Sequence, residues 1–206
     1  MILWINGAFG SGKTTAALEL QRRIKDCQTF IYDSENAGYF IRENSPETSG
    51  LKSGDFQDIK FWREMNYKML KLISENFDGI IIVPMTLVNS QYYEEIVGRL
   101  IHDGIEIRHF ILYAGKETIL KRLSKREFKS IKKLNKENGF GVNSIDRCID
   151  FFDNHIKDEK IITDNKNIDD IVAEIAEKSN IKLSVDKRSG IRKFFDRTYI
   201  FLKHIR

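Results

Sequence analysis

A chain of 206 residues, 41% apolar and 31% charged, has the balance of a globular domain large enough to bury its own core. Two prolines exclude a proline-rich linker, and two cysteines without ligand spacing, Cys27 and Cys148, exclude a zinc site built on them. The net charge of +4 is concentrated: Asp186 to Arg206 carries seven Lys/Arg and two Asp, a local +5, which leaves −1 for the rest. The pattern is that of a basic tail, not of a nucleic-acid surface, and no nucleic-acid partner is expected. No basic leader precedes the first apolar segment, and apolar runs such as Ile80 to Met85 are too short to span a bilayer. The expected location is the cytoplasm, with peripheral contact to the inner face of the cell membrane as an alternative for the tail.

Taken in chain order, Met1 to Asn6 reads as a buried strand and Lys13 to Lys25 as a helix with Ala16, Ala17, Leu20 and Ile24 on one face. Thr29 to Tyr32 is a β-branched and aromatic strand ending at Asp33. Phe61 to Phe77 has helical spacing, Gly79 to Val83 is the continuous apolar run of a strand buried on both faces, and Ser90 to His102 is helical. Glu106 to Tyr113 is a strand and Lys116 to Lys125 a helix. The lysine-rich stretch Lys129 to Asn138, followed by Gly139 and Gly141, reads as a mobile segment before a helix over Val142 to His155. Lys160 to Thr163 is a last strand and Ile168 to Lys178 its helix. Alternating strands and helices predict an α/β fold: a five-stranded parallel sheet covered on both faces, as in P-loop nucleoside and shikimate kinases. The predicted organisation is a P-loop kinase-like domain over 1–182, with a lid at about 124–145, and a basic amphipathic tail over 183–206.

The chemistry is expected beyond the carboxyl ends of the strands. Gly7-Ala8-Phe9-Gly10-Ser11-Gly12-Lys13-Thr14 fits G-x-x-x-x-G-K-[ST], between a strand and a helix as that motif requires. Its glycines let backbone N–H groups face a phosphate, Lys13 reaches the β- and γ-phosphates, and Thr14, followed by Thr15, offers a hydroxyl to Mg²⁺. ATP and Mg²⁺ are therefore the expected cofactors. The base-reading motif of GTPases is absent after Tyr113, and Val83 is followed by Pro84-Met85-Thr86 rather than by an acidic pair. Both absences favour the small-molecule kinase group.

Asp33 is the candidate general base and metal-side carboxylate, with capping of the next helix as its structural alternative. Arg122 and Arg126 share a helix face before the lysine-rich segment, and Arg147 follows it; all three are candidate lid arginines over the phosphates. Asp164 and Asn165, after the last strand, border the expected nucleotide base or serve as a cap. Asp55, Trp62, Arg63, Tyr67 and Thr86 mark the acceptor side. Arg63 is placed to hold an anion or carbonyl, and Trp62 or Tyr67 to stack on a ring or to fill the core. In the tail, Ile191, Phe194, Phe195, Thr198, Leu202 and Ile205 recur at helical steps among basic residues. That stripe is read either as a helix over 190–206 lying on an anionic membrane, or as one docked on the domain or on a second subunit of a homodimer.

These segments together resemble the bacterial tunicamycin-resistance proteins, a P-loop ATP-binding family. The likeness runs from Trp4 to Thr14 through Asp55-Phe56-Gln57, Trp62-Arg63, Ile82 to Thr86, Gly98-Arg99-Leu100 and Lys116-Glu117-Thr118. It continues in Leu120 to Leu123, Ile145 to Cys148 and Thr163-Asp164-Asn165, and ends in Lys203-His204-Ile205. The resemblance implies ATP binding, membrane association through the tail and resistance to a uridine-containing antibiotic. The chain departs from the family in its longer lysine-rich lid, Ser124 to Asn138. The residues and the resemblance together predict an ATP- and Mg²⁺-dependent phosphotransferase acting on a nucleoside-like small molecule or antibiotic. The alternatives are an ATP-gated, drug-sequestering protein at the membrane and a cytosolic nucleoside kinase.

Overall fold

The computed structural model describes residues 1–127, 138–193 and 195–196. Its five strands are β1 (Ile2–Gly7), β2 (Gln28–Ile31), β3 (Gly79–Pro84), β4 (Ile107–Tyr113) and β5 (Glu159–Ile162), all parallel, in the order β2-β3-β1-β4-β5. β1 lies at the centre, paired to β3 from Ile2↔Ile81 and to β4 from Ile2↔Ile107. It needs apolar side chains on both faces, which is why Ile2 to Ile5 show no alternation.

The two faces take alternate residues of the same strands. Leu3, Ile5, Ile80 and Ile82 pack against Ala16, Ala17 and Leu20 of α1 (Lys13–Arg23), with Ile171, Val172 and Ile175 of the C-terminal helix Ile168–Lys178 in the same cluster. Ile2, Trp4, Ile81 and Val83 pack on the other side against Trp62, Tyr67 and Leu70 of a long helix, Lys60–Asn76. Each fully buried Ile or Leu in these layers contributes about 1.5–3 kcal/mol. A third cluster under β4 joins Ala8 and Ile111 to Ile119, Ile145, Cys148, Phe151 and Phe152.

The remaining helices, in chain order, complete the set: α2 (Glu35–Glu43), α3 (Lys60–Asn76), α4 (Ser90–Tyr93), α5 (Arg99–His102), α6 (Lys116–Glu127), α7 (Asn138–Asn154) and α8 (Ile168–Lys178). α4 and α5 are joined by a π-helical turn, Glu94–Gly98, so that Ser90 to His102 is one run with a local widening. α2 was anticipated only as the helix that Asp33 could cap; it is short and carries Gly38 at the position where a Cβ would strike the Phe56 ring at 2.6 Å. Helix α7 begins four residues earlier than its sequence pattern suggests and contains Gly139 and Gly141. The expected lid over 124–145 is therefore helical at both ends, and residues 128–137 lie outside the described residues.

The start of the tail is packed on the domain. Leu183 bridges Ile24, Ser184 N–H donates to the Arg23 carbonyl (2.8 Å), and Arg188 reaches Glu19 of α1. The boundary expected at 182/183 thus falls inside a packed region. Phe194 and 197–206, which hold most of the amphipathic stripe, lie outside the described residues. No helix among the described residues is long and apolar enough to cross a membrane.

Candidate phosphate site and acceptor side

The loop between β1 and α1 takes its shape from three glycines with positive φ: Gly7 (146°), Gly10 (83°) and Gly12 (102°). L-residues are rare in that half of the map. At Gly7 a Cβ would also meet Ser11 Oγ at 2.6 Å and the Leu112 carbonyl at 2.7 Å. Gly12 is the N-cap of α1 and supplies no side-chain cap, and no acidic residue occupies the first turn. By contrast, α8 opens with a full capping box, Asn167 and Asp170. An uncapped helix start behind a glycine loop suits an anion.

Lys13 Nζ donates to the Gly7 and Ala8 carbonyls at 2.9 and 3.0 Å and lies 5.6 Å from the Phe9 ring centroid. Thr14 and Thr15 are half-buried at the start of α1. Ser11 is buried, and its Oγ has no hydrogen-bond partner among the described residues. Such an orphan is a costly feature in a loop without a polar ligand. The donor set, the three-glycine cradle and this orphan together fit a phosphate group.

Asn6 fixes the loop from below, and the sequence reading passed over it. Its buried amide accepts from the Gly7 and Leu87 N–H groups (2.8 and 3.0 Å) and donates to the Leu87 carbonyl (2.9 Å). Thr86 Oγ1 adds a bond to the Gly7 carbonyl at 2.8 Å. The exit of β3 is thereby tied to the exit of β1. The available signal was a polar amide closing an otherwise apolar strand.

On the other flank, Arg122 of α6 donates to the Thr163 carbonyl (2.6 Å), to Thr163 Oγ1 (3.0 Å) and weakly to the Ser11 carbonyl (3.4 Å). Its guanidinium is half-buried, and desolvation holds its pKa below the usual arginine value. Asp164 caps α6, accepting from Gly115 N–H (3.0 Å) and Thr118 Oγ1 (2.6 Å). The Thr118 hydrogen bond is the main reason its carboxyl is held below the ordinary value. Of its two expected roles, capping is the one seen, and it serves a helix other than the next in sequence. Asn165 sits in the turn between β5 and α8. Arg147 is exposed on α7, and the Arg126 side chain lies outside the described residues.

On the acceptor side, Asp33 follows β2. Its Oδ1 accepts from Glu35 N–H (3.0 Å), so it helps start α2; Oδ2 has no hydrogen-bond partner among the described residues. Burial, and then the Asp33 charge, push the Tyr32 phenol up to about 12. Asp55 caps the short turn Phe56–Asp58 by accepting from Gln57 N–H. Trp62 is fully buried, its Nε1 bonded to the Ser34 carbonyl (3.1 Å). Tyr67 donates to Asp103 (2.6 Å), in the loop before β4 and so at the sheet end opposite the phosphate loop. Both aromatic residues belong to the buried core cluster around β3. Arg63, expected to hold an anion or carbonyl, is paired to Glu95 (2.6 Å), 32 positions away in sequence.

Several solved structures are similar to this one. The tunicamycin resistance protein of Deinococcus radiodurans has a TM-score of 0.72 and 24% identity, covering 90% of this chain and 98% of that one. The fold is that of the P-loop kinases. The APS kinase of Mycobacterium tuberculosis, solved with AMPPNP and APS, aligns at TM-score 0.60 and 15% identity over 87% of this chain and 96% of that chain. A shikimate kinase from Bacteroides thetaiotaomicron aligns at TM-score 0.52 and 17% identity over 88% and 99%. No protein-family model matches the sequence, and no curated protein matches it. The first of these structures bears the name of the family that the sequence motifs resemble.

Proposed function

We propose that this protein is an ATP-dependent phosphotransferase acting on a hydroxyl of a nucleoside-like small molecule. The observation that carries the reading is the phosphate-shaped loop at Gly7–Thr14, with its buried orphan Ser11 Oγ, on the same sheet edge as Asp33. The P-loop kinase fold, and the AMPPNP held by the APS kinase that shares it, support a nucleotide at this loop.

In this reading the loop N–H groups and Lys13 hold the phosphates, and Thr14 and Asp33 offer the hard oxygen ligands that Mg²⁺ takes. Bound Mg²⁺ would neutralise charge on the phosphates. Asp33 accepts the proton of the acceptor hydroxyl through Oδ2. The acceptor oxygen forms its bond to the γ-phosphorus as the bond from that phosphorus to the β–γ bridging oxygen breaks, and ADP leaves. Arg122 braces the loop against Thr163 from the side, with Arg126 and Arg147 assigned to the lid. Asp164 and Asn165 border the nucleotide base.

The test is incubation with γ-labelled ATP, Mg²⁺, tunicamycin and a nucleoside panel, followed by mass spectrometry. Label on a small molecule, lost in Asp33→Asn while ATP still binds, is the expected result. Retained turnover in that variant removes Asp33 from the mechanism, and no labelled product from the native protein overturns the reading.

A second reading, capture of an amphipathic drug at a membrane without phosphoryl transfer, is favoured by the root of the tail. There the charged residues Arg188, Lys193 and Asp196 face the domain, while Ile191 (73% exposed) and Phe195 (65%) face outward. Flotation with anionic liposomes separates it from a cytosolic kinase whose tail makes a dimer contact.

A further inference from the structure

By sequence Arg63 is placed to hold an anion or carbonyl on the acceptor side, yet the fold has committed it elsewhere. Its side chain is 6% exposed. Nε donates to Glu95 Oε2 at 2.6 Å, Nη1 donates to the Gln57 carbonyl at 2.5 Å, and the guanidinium lies 4.2 Å from the Tyr92 ring centroid. Glu95 is held in turn by Gln91 Nε2 at 2.7 Å. It sits in the π-helical turn Glu94–Gly98, a local widening of the kind that re-aims side chains at functional sites.

The surroundings tilt negative. Tyr92 hydroxyl donates to Asp58 (2.7 Å), Asp55 caps the same turn, and Gln57 Nε2 reaches the Thr86 carbonyl (3.2 Å) beside the phosphate loop. Trp62, next to Arg63, hangs from the Ser34 carbonyl and so brings Asp33 to the same region. Two other cations lie in this region: Arg42, which stacks on the Phe56 ring (5.2 Å to the centroid) and donates to the Gly54 carbonyl (2.6 Å), and Lys60, which is exposed and within electrostatic reach of Glu95.

We infer that the Arg63–Glu95 pair sets the charge class of the acceptor: an uncharged hydroxyl-bearing molecule is admitted, and one carrying a carboxylate, sulfate or phosphate is rejected. The inference rests on the acceptor side proposed above. An anionic acceptor would meet Asp33, Asp55 and Asp58 with Arg42 committed to the Gly54 carbonyl and the Phe56 face, or would have to displace Glu95 from Arg63. Like charges placed face to face discriminate strongly between otherwise equal ligands. Glu95 is thus a specificity-determining residue that acts through Arg63.

The experiment is calorimetric binding to the full chain with Mg²⁺ and a non-hydrolysable ATP analogue. The probes are two ligands of one size, 5-carbamoylmethyluridine (neutral) and 5-carboxymethyluridine (anionic). The native protein is expected to prefer the amide by about tenfold or more. Glu95→Gln, checked for folding by its melting curve, is expected to lose or reverse that preference. Glu95→Asp, which keeps the charge, is expected to retain it. A carboxylate bound as tightly as the amide by the native protein overturns the inference, as does an unchanged preference in Glu95→Gln or the binding of neither probe. Because no transfer is needed for the readout, an intact preference with no labelled product in the turnover assay sinks the phosphotransferase reading alone.

Discussion

Replacing Gly7 by alanine tests the geometry of the phosphate loop at its tightest point. The backbone there has φ 146°, a region nearly confined to glycine, and holding alanine in it costs about 1–3 kcal/mol. The added Cβ would also lie 2.6 Å from Ser11 Oγ and 2.7 Å from the Leu112 carbonyl. The serine can rotate away. The carbonyl cannot, because Gly7 and Leu112 are in register between two central strands and β4 is also paired to β5. Overpacking of that kind adds about 1–3 kcal/mol. The sum, about 4 kcal/mol, corresponds to a melting temperature lower by about 8–16 °C in a chain of this size. The Gly7 carbonyl also accepts from Lys13 and Thr86, so nucleotide affinity should fall with stability. Melting followed by circular dichroism, with and without ATP, reads both. Gly50→Ala is the control: its φ is 72° with open space around it, and only the left-handed penalty of about 1–2 kcal/mol applies. A Gly7→Ala protein melting within about 2 °C of the native one would refute the reasoning.

Lys13→Ala should fold normally and bind ATP at least about tenfold more weakly by fluorescent-analogue titration, since the lost contact is charge-assisted. Unchanged affinity would remove Lys13 from the phosphate site. Arg188→Met should lower unfolding free energy in urea by about 3 kcal/mol, the low end for breaking a buried pair, because the guanidinium remains partly accessible. That change removes the guanidinium shared by Glu19, which is 1% exposed, Asp186 and Asp196; a loss indistinguishable from zero would show the cluster to be inert. The Asp164 carboxyl is held below its ordinary value of 3.8, so its stabilisation is fully present above that pH and is lost as pH falls through the lower folded value. Acid titration of Asp164→Asn should therefore show a shallower stability loss below about pH 4 than the native protein; identical slopes would count against the cap.

The strands were legible because a parallel strand buried on both faces is a short apolar run, and the phosphate loop because its glycines stand at fixed spacing. Helix ends were less legible. Gly139 and Gly141 read as breakers, yet α7 runs through them. The span of α2 escaped because it is only nine residues long and its internal glycine reads as a breaker, although its buried residues Ala37, Gly38 and Ile41 fall at helical steps and Phe56 packs on Gly38. Side-chain partners were illegible where they are remote in sequence. Arg63 is spoken for by Glu95, Asp164 by Thr118, and Glu19 by Arg188, 169 positions away. Nothing local in the sequence marks those pairs. The tail, for the same reason, read as a separate unit although its first residues close against α1 and α8.

The strand order has a consequence for how the chain is made. β1 precedes the other four strands and is buried along its whole length, but it pairs only with β3 and β4, and β2 next in line pairs with β3 instead. At about 5–20 residues per second, β1 waits about 4–15 seconds on the ribosome for its first partner, which ends at Pro84. Ile2 to Ile5 are exposed throughout that interval, so nascent chains stalled before Pro84 are the ones that should recruit chaperones and aggregate, whereas those released beyond Tyr113 have a closed sheet centre.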